Sequence, residues 1–155
     1  MTAIISKCKK YRYWLERDTG IPIKNACVFI MLNPSTADAE VDDPTIRRCR
    51  GFAERFQCGK LVVVNLFPYR ARKPADLYKA KDPVGIDNNE HLSRALTLPG
   101  IKLCGWGAND TRGRERWLKE MAHWQHANLC CLGKTKSGAP KHPLYLPALA
   151  PLEVL

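Results

Sequence analysis

The stretch Cys27-Val28-Phe29-Ile30-Met31-Leu32-Asn33-Pro34-Ser35-Thr36 constrains the fold more than any other, because six apolar residues end abruptly in small polar residues and a proline. An apolar run of this length, bounded by turn formers, suits a strand buried on both faces, as in a parallel sheet. The polar residues after it then stand at the carboxyl end of a central strand, where open α/β sheets keep their ligands. Pro34 fixes its own φ and pushes Asn33 towards extended geometry, so the Asn33 amide is expected to be held beside that crevice.

The rest of the chain can be hung from this strand. Lys7 to Arg17, with Tyr11, Tyr13 and Leu15 alternating with other residues, reads as a short, half-exposed strand at a sheet edge. Asp18-Thr19-Gly20 and Pro22 turn the chain into the buried strand at 26–32, and Ser35 to Asp43 is a polar loop. Asp43 and Pro44 then open a helix as N-cap and first helical residue, with Ile46, Cys49, Phe52, Ala53 and Phe56 on one apolar face. Lys60 to Phe67, with three consecutive β-branched valines, is a second buried strand. Strand, helix, strand in this order makes a right-handed crossover with parallel strands.

Residues 69–87 form a long, basic, proline-bearing connection, and Asn88 to Leu98 a helix facing inward through Leu92, Ala95 and Leu96. Residues 101–107 give a third strand. A helix from Asp110 or Thr111 follows, with Trp117, Leu118, Met121 and Trp124 as its apolar stripe, and residues 128–133 give a fourth strand. The expected fold is a single α/β domain spanning residues 1–155. It has three layers: a central four-stranded parallel sheet flanked by helices, plus a short N-terminal edge strand.

Composition narrows the function classes. No apolar run approaches the roughly 20 residues of a membrane span, and the N-terminus does not read as a secretory signal, so a cytoplasmic protein without membrane association is expected. The seven cysteines read as buried free thiols, Cys27, Cys104, Cys130 and Cys131 lying in apolar runs. No Cys-x-x-Cys occurs and the four histidines lack ligand spacing, so no metal and no other cofactor is expected. The net charge of +10 favours a polyanionic partner, and DNA is the expectation.

Each central strand delivers a distinctive group at its carboxyl end: Asn33, Asn65, Trp106-Gly107 and, beyond the fourth, His142-Pro143. They are expected to converge on one crevice. Leu32-Asn33-Pro34, Val62-Val63-Val64-Asn65, Leu103-Cys104-Gly105-Trp106-Gly107 and His142-Pro143-Leu144-Tyr145-Leu146, in this order, resemble the motifs of the uracil-DNA glycosylase superfamily. The Asn-Pro form is similar to that of the mismatch-specific uracil and thymine glycosylases. The chain also resembles an uncharacterised bacterial and phage domain family with the signature Leu-Asn-Pro-Ser-Thr-Ala.

The resemblance implies a uracil-DNA-glycosylase-like fold and hydrolysis of the N-glycosidic bond of uracil or a modified or mismatched pyrimidine in DNA. It implies Asn33 and His142 as catalytic residues and Asn65 as the reader of the base edge. Pro34, Ser35 and Phe67 complete the base-binding set. Tyr145 or Leu146 would fill the vacated stack, with Arg70 and Lys141 on the DNA.

The chemistry can also be stated from the residues themselves. Breaking an N-glycosidic bond leaves positive charge on the sugar and negative charge on the departing base, which calls for a positioned water and a donor to the base anion. Asn33 can hold the water through its carbonyl, neutral His142 can donate to the base oxygen, and Asn65 offers a donor and an acceptor side by side. The target base must be flipped out of the duplex. Asn at position 33, where a carboxylate would act as general base, predicts slow chemistry or a reactive substrate. Leu144 stands where the superfamily has a phosphate-contacting serine. Two alternatives stay open: a non-catalytic binding protein for a modified base, nucleotide or nucleic acid, and an enzyme on a small molecule.

Overall fold

Strand β3 (Ala26–Met31) is buried at every position and lies at the centre of the sheet. It pairs in parallel with β4 (Lys60–Asn65) on one side and β5 (Gly100–Cys104) on the other, Met31 opposite Asn65 and Ile30 opposite Cys104. β6 (Leu129–Cys131) continues the parallel set beyond β5. The sheet does not stop there. The computed structural model, which describes residues 1–155, has seven strands in the mixed order β1-β2-β4-β3-β5-β6-β7. The four-stranded parallel sheet expected from the sequence is therefore only its middle: β1 (Thr2–Ile5), β2 (Arg12–Asp18) and β7 (Glu153–Val154) add antiparallel partners at its two sides.

β2 is not the edge strand that its alternation suggested. It lies between β1 and β4, and Arg12 to Leu15 are buried. The register along β1 skips from Ile4 opposite Trp14 to Ile5 opposite Arg12, so Tyr13 is an extra, bulged residue. The bulge lets the consecutive Tyr13 and Trp14 both face one helix, through His91 and Arg94, and turns Arg12 to the other side of the sheet.

Alternate strand residues feed two cores. Val28, Ile30, Val62 and Val64 pack with Leu77 of α2 (Pro74–Lys79), with Leu92, Ala95 and Leu96 of α3 (Asn88–Thr97), and with Leu118 and Ala122 of α4 (Arg114–Trp124). Phe29, Met31, Leu61 and Val63 pack on the opposite face against Ile46, Cys49, Phe52 and Ala53 of α1 (Pro44–Arg55). Asp43 is the N-cap of α1, as expected, its Oδ1 accepting the Ile46 N–H at 2.9 Å, with Pro44 in the first turn.

Two further expectations need correction. The connection at 69–87 contains the short helix α2, anchored by the single buried residue Leu77. Trp124 is not core but 79% exposed, because it is the last residue of α4 and the stripe that packs inward runs through Leu118 and Ala122. All seven cysteines are free, and no helix is long and apolar enough to cross a membrane.

Candidate functional site

Period-two alternation along β4 sends Leu61 and Val63 towards α1, and Asn65, two residues on, shares their face at the carboxyl end of the strand. No helix covers it there. Instead Asn65 lines a cavity of about 350 Å³ bounded by the ends of β3, β4 and β5, the N-terminus of α1, and the segment carrying His142 to Tyr145. The residue is only 2% exposed, yet neither Oδ1 nor Nδ2 has a hydrogen-bond partner. Each buried group left unpaired costs about 1–3 kcal/mol, and this side-by-side donor and acceptor can be satisfied only from the cavity. The indole Nε1 of Trp106, just beyond β5, is likewise buried and unpartnered on the same cavity.

Asn33 also lines the cavity and is held as its sequence context suggested. Nδ2 donates to the carbonyl of Ala71 at 2.9 Å and to that of Pro34 at 3.1 Å, which uses both amide protons. The group that remains is Oδ1, an acceptor. His142 reaches the cavity from the residue that precedes a single 3-10 turn, Pro143–Tyr145. Its Nδ1 accepts the Leu144 N–H at 3.2 Å, so the proton of the neutral ring sits on Nε2, a donor. Burial pushes the His142 pKa down, with Asp43 pulling weakly the other way, and this favours the neutral ring.

Pro34, Ser35 and Tyr145 complete the predicted residues that line this cavity. Tyr145 stands at its mouth, 83% exposed and tilted against the His142 ring at 5.8 Å between centroids. Four others lie elsewhere. Phe67 is buried in the core on the α2–α4 side, because it falls one step past Leu66 as the chain leaves the sheet. Leu146 packs into the opposite core, and its carbonyl accepts from Arg48, so it is not available to enter a duplex. Arg70 reaches the carbonyls of Lys9 and Thr36, and Lys141 is exposed outside the cavity.

The structure adds three charged groups to the cavity that the predicted site did not include, Asp43, Arg12 and Arg72. Asp43 is the one carboxylate on the cavity. Its signal was present: the N-cap of a helix that follows a parallel strand must stand at the carboxyl edge of the sheet. Arg12 enters from β2, only 2% exposed, its Nη1 donating to the Ala37 carbonyl at 2.9 Å. No sequence pattern announced it, since the bulge that aims it depends on pairing with β1. Across the molecule, no group of three or more His, Cys, Asp or Glu side chains is placed to hold a metal ion.

Comparison with known proteins matches residues 12–144 to the family described as "Protein of unknown function (DUF1643)", and the chain belongs to that family. No curated protein and no solved structure shows a significant match. The likeness to uracil-DNA glycosylases therefore rests on the strand-end residues alone.

Proposed function

We propose that this DUF1643 member is a glycosylase-like hydrolase that takes a pyrimidine-type base of DNA into the cavity and cleaves its N-glycosidic bond. The observation that carries the reading is Asn65, whose buried amide presents an unpaired donor and acceptor at the spacing of an imide or amide edge. The remaining groups suit the reaction. Asn33 Oδ1 accepts from a water directed at the sugar, and Asp43 takes the proton that the water gives up. His142 Nε2–H donates to the base oxygen as negative charge develops there.

Support for DNA comes from the net charge of +10 and from Tyr145, an exposed aromatic beside the mouth that can fill the stack left by an extruded base. A site at the carboxyl ends of parallel strands supports the glycosylase-like reading of the fold, by analogy.

The test is incubation with oligonucleotides carrying uracil, mismatched thymine or modified pyrimidines, followed by alkali. Strand breaks at the target base that vanish in Asn65→Ala are expected. A broad panel that yields no abasic product contradicts the reading.

One observation favours a second reading, recognition without cleavage: both Asp43 oxygens already accept backbone N–H groups, from Ile46 and Ala37, which engages the carboxylate in capping α1 and its preceding loop. Salt-dependent DNA binding that needs Asn65, with no base released, would establish that alternative.

A further inference from the structure

β2 carries two arginines sealed from solvent, and they differ in one respect. Arg17 is fully engaged: Nε pairs with Asp42 Oδ1 at 2.8 Å, Nη1 donates to the Glu16 carbonyl and Nη2 to that of Asp38. The Arg12 side chain makes a single hydrogen bond, to the Ala37 carbonyl, its Nε is buried without a partner, and no carboxylate lies within ion-pairing distance of it. Asp43, on the same cavity, acts on it only from beyond ion-pairing distance, and a buried cation without a contacting counter-ion is costly unless a ligand supplies one. Burial lowers the Arg12 pKa to about 10, with Asp43 opposing the shift, so the guanidinium stays cationic at neutral pH.

Its position says where that charge arrives. Arg12 donates its backbone N–H to Pro68, just past the end of β4, and so flanks Asn65 on the β2 side. His142 lies at the other end, next to Pro143, which packs against Gly105 after β5. With β4 and β3 between them, β2 and β5 stand about 14 Å apart at ordinary strand spacing, so the two side chains enter the cavity from opposite sides. A ligand whose base is read by Asn65 and released against His142 therefore points its far side at Arg12.

We infer that Arg12 forms an anion subsite and that the cavity takes a pyrimidine-type base bearing an acidic substituent of its own. This rests on the base-reading role of Asn65. The shared chemistry is an anionic oxygen group. A carboxylate on the base is the source the geometry favours, because a nucleotide phosphate hangs from the sugar and lies on the opposite side.

Calorimetric titration with 5-carboxy-2′-deoxyuridine, 2′-deoxyuridine and 2′-deoxyuridine 5′-monophosphate tests this, with inorganic phosphate as competitor. Wild type is expected to prefer the carboxylated nucleoside over the neutral one by about tenfold or more. Arg12→Gln should erase the preference and Arg12→Lys keep part of it, melting curves confirming that both variants fold. An Arg12-dependent advantage confined to the monophosphate keeps the subsite and moves the anion to the sugar side. Equal affinity for charged and neutral ligands, or no binding by any of them and no effect of phosphate, overturns the subsite. Asn65-dependent binding of 2′-deoxyuridine without an anion advantage overturns the subsite alone. Arg12-dependent binding that survives Asn65→Ala overturns the base-reading role alone.

Discussion

Asn33 donates from Nδ2 to the carbonyl of Ala71 at 2.9 Å, tying the end of β3 to the segment that leads into α2, 38 positions away in sequence. The same nitrogen also donates to its neighbour Pro34. An aspartate here would set a carboxylate against two carbonyls and have no proton to give either. Asn33→Asp is therefore expected to lose about 1–3 kcal/mol of stability by urea denaturation and to slow base release, although it adds a second carboxylate to the cavity. Faster release by Asn33→Asp would show that the tie is dispensable.

His142 should set the acid limb of activity. Its folded-state pKa lies below the ordinary value of 6.5, so the unfolded chain takes up the proton first and stability falls as pH drops through and below that range. Protonation also removes Nδ1 as acceptor for Leu144. Base release should hold steady from neutral pH down to about the ordinary histidine range and decline below it. His142→Ala should lower the rate by about 10²–10³-fold and flatten that limb. An unchanged pH–rate profile would remove His142 from the chemistry.

Tyr145 is exposed at the mouth, and its removal touches no core. Tyr145→Ala should leave stability within about 0.5 kcal/mol and reduce release from duplex DNA more than from single strands, where no stack has to be refilled. Equal loss on both substrates would argue for direct contact with the base instead.

Arg17 holds the loop before α1 through the Asp42 carboxylate and the Asp38 carbonyl. Arg17→Met should cost about 3 kcal/mol, because it leaves Asp42 and a carbonyl without their partner. The loss should appear as a lower urea midpoint, and base release should fall with it, since the same loop leads to Asp43.

The central strands and the α1 cap were legible because each is a local pattern: an unbroken apolar run at 26–32, three valines at 62–64, and Asp43 followed by Pro44. Asn33, Asn65, Trp106 and His142 were legible for the same reason, each following a strand or a turn signal, and the structure brings all four to one cavity. What the sequence hid depends on long-range pairing. β1 and β7 have only four and two residues, too few for a periodic signal, and without β1 neither the interior place of β2 nor the bulge behind Arg12 can be read. Leu146 and Tyr145 were equally plausible as wedges in sequence, and only the 3-10 turn decides which of them faces outward.

The central claim is that the Asn65 amide is kept for a ligand and not for the fold. The melting temperature of Asn65→Leu, measured beside wild type without ligand, tests it most directly. Replacing an unpaired buried amide by an apolar group of similar size should raise the melting temperature by about 2–8 °C while base release is lost. A melting temperature several degrees below wild type would show that the amide holds the structure together, and would contradict the account.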